Sequence, residues 1–164
     1  MRRLFSFPNP VNEVAARTVA AGILVLAVVE LTTGWRWLLV PLAYGFVARV
    51  LTGPKLSPWA FLVTRGIVPR LPFVDRPTPG PPKRFAQAIG ATLSTAALLA
   101  WALAGWSTAA DVLVGLVAVA ATLESAFGIC LGCMLFARLM RAGVIPESVC
   151  EECADISRRL RRAA

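Results

Sequence analysis

The chain has 164 residues, of which 57 % are hydrophobic, and its mean hydropathy is +0.69. This apolar share exceeds the roughly 45–50 % of ordinary soluble domains and excludes intrinsic disorder, which needs a chain poor in apolar residues. The formal net charge is +8 and histidine is absent, so no imidazole can act as an acid, a base or a metal ligand.

Four apolar stretches follow one another along the chain, separated by charged or proline-rich breaks. Each has about 17–22 residues, close to the roughly 20 that cross the hydrocarbon core of a bilayer. The stretches lack the polar face that helices of a soluble bundle present to water. We therefore predict a single all-α membrane domain over residues 1–164, with four transmembrane helices at about 14–33, 35–51, 85–106 and 112–131.

Basic residues are distributed unequally between the two ends of these spans. Only Arg36 lies at one end of the spans, and the other 16 of the 17 Lys and Arg residues lie at the opposite end. By the positive-inside rule, both termini and the central loop are cytoplasmic, which predicts a multi-pass protein of the cell inner membrane. The positive charge then serves topology and attraction to anionic lipid, so the expected partner is the bilayer and no nucleic acid is expected.

The central loop has structural signals of its own. Ser57 can cap a helix with proline in its first position, and we predict an interfacial helix over about 58–69. The proline-rich stretch 77–82 is predicted to be a stiff, non-helical connector that brings Lys83 and Arg84 to the membrane surface.

A few polar residues and one proline interrupt the predicted spans. Glu124 lies within the hydrocarbon, where a carboxylate is a functional candidate by default. We predict that it pairs with Arg49 at a similar depth, either as a structural pair or as part of a proton path. Glu30 is expected to pair with Arg36 or to meet water, and Pro41 is expected to kink the second span.

All four cysteines fall in the last 35 residues, as two C-x-x-C pairs: Cys130 with Cys133, and Cys150 with Cys153. Two such pairs at this separation match the spacing of four-thiolate zinc sites. A C-x-x-C pair also supports dithiol–disulfide chemistry, and the spacing alone does not distinguish a zinc site from a redox site. Permanent disulfides are rare in the cytoplasm, and unrelated buried cysteines are a further alternative.

Helix lengths predict that the two pairs lie close together. The fourth span should continue as a helix to about Arg141, reverse its direction over 142–145 and return as a second helix. These cytoplasmic C-terminal helices, over about 132–162, would bring both pairs level near the inner membrane surface, with Cys150 and Cys153 as the more exposed pair. The final helix carries four arginines suited to lipid headgroups, Arg158, Arg159, Arg161 and Arg162.

The chain resembles the DUF4395 family of small integral membrane proteins. Four segments carry the resemblance: Phe7–Glu13 (FPNPVNE), Gly80–Gln87 (GPPKRFAQ), Leu123–Cys133 (LESAFGICLGC) and Cys150–Cys153 (CEEC). Such proteins are often encoded beside thioredoxin-like and rhodanese-like sulfur enzymes, so the resemblance implies thiol or sulfane-sulfur handling. It marks Glu124 and the four cysteines as motif positions without assigning a catalytic role to any of them.

Three hypotheses of function follow. In the first, Cys150 and Cys153 exchange with a soluble thioredoxin-like or sulfurtransferase partner. Cys130 and Cys133 then relay electrons or sulfur to a membrane acceptor, and Glu124 carries the proton. By architectural analogy with membrane thiol oxidases, that acceptor would be a quinone.

In the second hypothesis, the protein is a non-enzymatic anchor whose four cysteines bind structural zinc. In the third, it is a small transporter of a sulfur species, which would require a homo-oligomer.

Overall fold

The computed structural model describes residues 7–72 and 77–150 together with Cys153. Within these residues the chain forms six α-helices and one small antiparallel sheet, in which Val11 is paired with Thr78. The predicted final helix with its four arginines lies outside the described residues. The elements are β1 (Val11–Asn12), α1 (Glu13–Thr33), α2 (Leu39–Thr52), α3 (Pro58–Leu62), β2 (Pro77–Thr78), α4 (Gly80–Ala104), α5 (Ser107–Phe127) and α6 (Leu131–Arg141).

Three of the helices, α1, α4 and α5, are long and apolar enough to cross a membrane. This confirms the prediction of a helical membrane protein at the level of class. The second predicted span appears as the 14-residue α2, preceded directly by a 3-10 turn at Arg36–Leu38. With 14 residues, α2 is too short to be one of the candidate spans, which are selected by helix length and composition.

Small side chains hold the bundle together. Helix α1 packs on α5, α2 packs on α4, and α4 also packs on α5. Ala27, Ala97 and Ala110 are completely buried at these contacts, so the helix backbones approach closely. Large apolar side chains such as Leu103 and Phe127 are instead exposed on the outside of the bundle, as a lipid environment allows.

The loop between α2 and α4 contains the helical segment expected at 58–69. Helix α3 continues through a π-turn at Val63–Ile67 and a 3-10 turn at Val68–Arg70. The Trp59 indole Nε1 donates a 3.2 Å hydrogen bond to the Val19 carbonyl, and the ring covers Gly22, where any Cβ would overlap it. The segment is therefore anchored on α1.

One of two predictions about proline was wrong. Pro41 lies in the first turn of α2, and the kink expected there stays a prediction. Helix α4 begins at Gly80, and its first turn therefore contains two of the prolines assigned to a non-helical connector. Proline is tolerated at the start of a helix because its fixed φ already suits the first turn.

The prediction of a continuous helix from the fourth span to Arg141 was also wrong. Helix α5 ends at Phe127, and Gly128 adopts the left-handed conformation with φ +70°. Its backbone N–H bonds the Glu124 carbonyl, which is a common way to end a helix. The chain then changes direction and starts α6, so Cys130 and Cys133 lie at a helix N-terminus and not in mid-helix.

Candidate functional site

The first cysteine pair occupies the start of α6. Cys130 is the N-cap residue, in extended conformation, and Cys133 lies in the first turn. The Cys133 thiol donates to the Cys130 sulfur across 2.7 Å, and both residues are half-buried. The pair is thus a dithiol whose sulfurs are already in contact.

Close packing on α4 fixes the position of this pair. A Cβ on Gly132 would lie 2.6 Å from the Ala86 Cα, so only glycine allows α6 to approach α4 this closely. The Phe85 and Phe136 rings meet edge to face, with centroids 5.6 Å apart. The glycine between the two cysteines is therefore a packing requirement of the site.

The second pair is joined as a disulfide between Cys150 and Cys153. Cys150 is only 5 % exposed, whereas Cys153 is half-buried. The prediction that this is the more exposed pair was wrong, because Cys150 is the most buried of the four cysteines. Cys153 is therefore the sulfur of this pair that another thiol can reach.

One cavity of about 500 Å³ brings cysteines of both pairs together. Cys130, Cys133 and Cys153 all line it, and Lys83 and Glu13 line it as well. The structure thus places three of the four predicted site cysteines around one cavity.

Glu124 forms an ion pair with Lys83, not with the predicted Arg49. The Lys83 Nζ donates to the Glu124 Oε1 at 2.6 Å, and both side chains are largely buried. Arg49 instead donates from Nε to Gln87 and from Nη1 to Ser57, whose side chain therefore makes no cap bond to α3. Arg49 is at the right depth, but these neutral partners hold its guanidinium.

The surroundings of the two thiols make them unequal. Because α5 ends at Phe127, both thiols lie outside the long helices. The hydrogen bond from Cys133 lowers the pKa of Cys130. Burial and the Glu124 charge oppose this effect, and the Lys83 charge adds to it. The same hydrogen bond and burial raise the pKa of Cys133. Of the two thiols, Cys130 is therefore the one that ionises more readily.

A second cavity, of about 320 Å³, lies among the long helices and reaches the same site. Its lining is mostly apolar and includes Phe46, Leu93 and Leu116. Glu124 and Cys130 line it too, so Cys130 borders both cavities. An apolar molecule in this cavity would contact the redox-capable sulfur and the carboxylate.

The opposite end of the bundle carries a separate charge cluster. Arg36 pairs with Glu30 at 2.6 Å, which confirms the predicted pair, and it also holds Asp111 through both guanidinium nitrogens. Glu30 is completely buried. The cluster ties the end of α1 to the beginnings of α2 and α5.

The part of the chain that the structure describes contains no group of three or more Cys, Asp or Glu side chains arranged to hold a metal ion. Comparison with known proteins identified one family. The profile of DUF4395, a domain of unknown function, matches residues 11–141. Neither the curated proteins nor the solved structures gave a match.

Proposed function

The chain belongs to the DUF4395 family, and from the thiol geometry we propose that it is a membrane-embedded thiol–disulfide relay. The observation that supports this best is the shared cavity, lined by Cys130 and Cys133 as thiols and by Cys153 from a disulfide. A dithiol and a disulfide on one cavity are the two reactants of thiol–disulfide exchange.

The relay step transfers two electrons from the second pair to the first. Starting from a Cys150/Cys153 dithiol and a Cys130–Cys133 disulfide, the Cys153 thiolate attacks the Cys130 sulfur. This forms a Cys130–Cys153 bond and releases Cys133, which takes up a proton. Cys150 then attacks Cys153, closes the Cys150–Cys153 disulfide and expels Cys130 as a thiolate.

The products of this step are the state that the structure describes. Cys130 is a good leaving group because its pKa is lowered by the thiol of Cys133, which has just been protonated. The two thiol protons of the second pair are balanced by those that Cys133 and Cys130 take up. No additional oxidant is needed for the internal step.

External partners complete the cycle. A soluble dithiol protein of the thioredoxin-like kind reduces the Cys150–Cys153 disulfide through the accessible Cys153 and becomes a disulfide itself. A lipid-soluble quinone in the apolar cavity takes two electrons and two protons from the Cys130/Cys133 dithiol, giving a quinol and a disulfide. Glu124, which lines that cavity, carries one of the protons.

The proposed topology has four spans: the three long helices α1, α4 and α5, and in addition the shorter α2. Both ends of the chain and the loop containing α3 then lie on the cytoplasmic side of the inner membrane, where the excess of basic residues is found. The cysteine pairs lie at that same end and face the cytoplasm.

Trapping the mixed disulfide tests the relay. In the C133S/C150S variant, Cys130 and Cys153 have no competing partner, so mild oxidation should join them within one chain. The control variant C130S/C150S has the same number of cysteines but pairs Cys153 with the less reactive Cys133. We expect the first variant to form its cross-link several-fold faster, as counted by peptide mass spectrometry.

Two results would overturn the relay. One is about one tightly bound zinc ion per anaerobically purified chain, with all four thiols protected from alkylation until a chelator is added. The other is equal, negligible cross-linking in both variants, combined with uptake of a sulfur species into sealed vesicles. The first result would support the zinc-bound anchor and the second the transporter.

A further inference from the structure

A third cavity, of about 170 Å³, shares Lys83 with the thiol cavity and borders the loop between α2 and α3. Its described lining residues include two cations, Arg49 and Lys83, three neutral polar residues, and no acidic residue. We propose that this cavity binds a small tetrahedral oxyanion of the sulfate, thiosulfate or phosphate class. This proposal does not depend on the thiol relay.

The principal observation is the state of Arg49. Its residue is only 6 % exposed, and its partners Gln87 and Ser57 are neutral. Its Nη2 atom is buried without a hydrogen-bond partner, and it makes no ion pair with any residue that the structure describes. A guanidinium stays charged in proteins, so burial without a counter-charge is strongly unfavourable.

Charge balance around the cavity points to an anion. Glu124 pairs with Lys83 at 2.6 Å and also attracts Arg49 without contacting it, so these two cations share one carboxylate among the described residues. One net positive charge therefore remains among these three buried residues. A bound oxyanion beside Arg49 would neutralise it.

The site is also preorganised. Two hydrogen bonds hold the guanidinium, and its carbon lies 4.5 Å from the centroid of the Phe46 ring. A fixed, planar guanidinium is the preferred protein group for oxyanions because it offers parallel N–H donors. The cavity volume of about 170 Å³ is more than ten times the roughly 10–15 Å³ that one water molecule needs on the same measure, so the cavity has room for an oxyanion. It could be a free inorganic ion or the phosphate of an anionic lipid headgroup.

Equilibrium binding to the purified full-length protein tests the site. Delipidated protein in neutral detergent is titrated with radiolabelled sulfate, and unlabelled thiosulfate, phosphate and chloride compete at matched ionic strength. We expect saturable binding that the tetrahedral anions displace and chloride does not. If this binding occurs, the ligand of the cavity is a free ion. If sulfate does not bind, but phosphatidylglycerol co-purifies with wild type and is lost in R49Q, the ligand is a lipid headgroup.

Two variants separate the site from general folding defects. R49Q should reduce binding at least ten-fold, and A16L, which keeps the charge but fills the cavity from α1, should do the same. The matched control is A102L, on an exposed position near the end of α4, which lines none of the three cavities and should bind as wild type does. The proposal is overturned if wild type retains neither anion nor anionic lipid, or if A16L and R49Q bind undiminished.

Discussion

Lys83 and Glu124 form an ion pair that lies between the two cavities of the thiol site. Lys83 lines the cavity that contains three cysteines, and Glu124 lines the apolar cavity among the long helices. The pair therefore contributes both to the stability of the bundle and to the electrostatic environment of Cys130. These two contributions can be separated by experiment.

The first prediction concerns the stability of this pair. Glu124→Gln or Lys83→Met alone leaves one buried charge without its partner and should destabilise the protein by about 3–5 kcal/mol. The double variant K83M/E124L replaces both charges with apolar groups and should recover most of the loss. Thermal unfolding in detergent measures this. If the double variant recovers stability and still reduces an added quinone at the wild-type rate, Glu124 does not carry a proton.

The second prediction is a difference in thiol ionisation. The lowered pKa of Cys130 means that its reactive thiolate is present at pH values below the usual midpoint near 8.5 and is lost only on further acidification. Site-resolved alkylation against pH should therefore show Cys130 reacting first and Cys133 last. Cys133→Ala removes the donated hydrogen bond and should move the Cys130 midpoint upward. Cys133→Ser, which retains a hydroxyl donor, should move it less; equal shifts in the two variants would contradict the hydrogen-bond explanation.

The third prediction concerns the glycine between the first two cysteines. Gly132→Ala introduces a methyl group into the contact with Ala86 and should separate α6 from α4, at a cost of about 1–3 kcal/mol. The matched control is Gly115→Ala in α5, where a Cβ meets nothing within 4 Å. We expect only the first variant to lower the thermal midpoint and to slow trapping of the mixed disulfide. Similar behaviour of the two variants would show that the close approach is not required.

The existence of the long helices could be predicted from the sequence, because about 20 apolar residues have few alternatives to a helix within a bilayer. The position of the thiols could not be predicted in full. The end of α5 depends on the left-handed conformation of Gly128, and an apolar run gives no sign of it. The partner of Glu124 was missed because depth along a helix does not specify the angle around it. The sequence signal that could have placed Lys83 inside the bundle is the proline after Gly80, because proline suits the first turn of a helix and α4 begins there.

The fourth prediction concerns the charge cluster at the opposite end. Arg36→Ala would leave Glu30 completely buried without a counter-charge and should destabilise the protein by about 3–5 kcal/mol. Asp111→Asn removes the 40 % exposed partner and should have a smaller effect, at most about 1 kcal/mol. Thermal unfolding of the two variants in detergent compares them. A larger effect of Asp111→Asn would contradict the view that the buried Glu30–Arg36 contact is the more important of the two ion pairs.

The last prediction concerns topology. In a background in which the four native cysteines are replaced by alanine, Ser107→Cys and Ala137→Cys each introduce one exposed thiol, the first at the start of α5 and the second within α6. If four helices cross the membrane with the basic ends in the cytoplasm, a membrane-impermeant maleimide added to intact cells should label only the Ser107→Cys variant. After lysis, the same reagent should label the Ala137→Cys variant as well. Because the relay requires a cytoplasmic dithiol partner, labelling of Ala137→Cys from outside would reverse the orientation and remove that partner from reach.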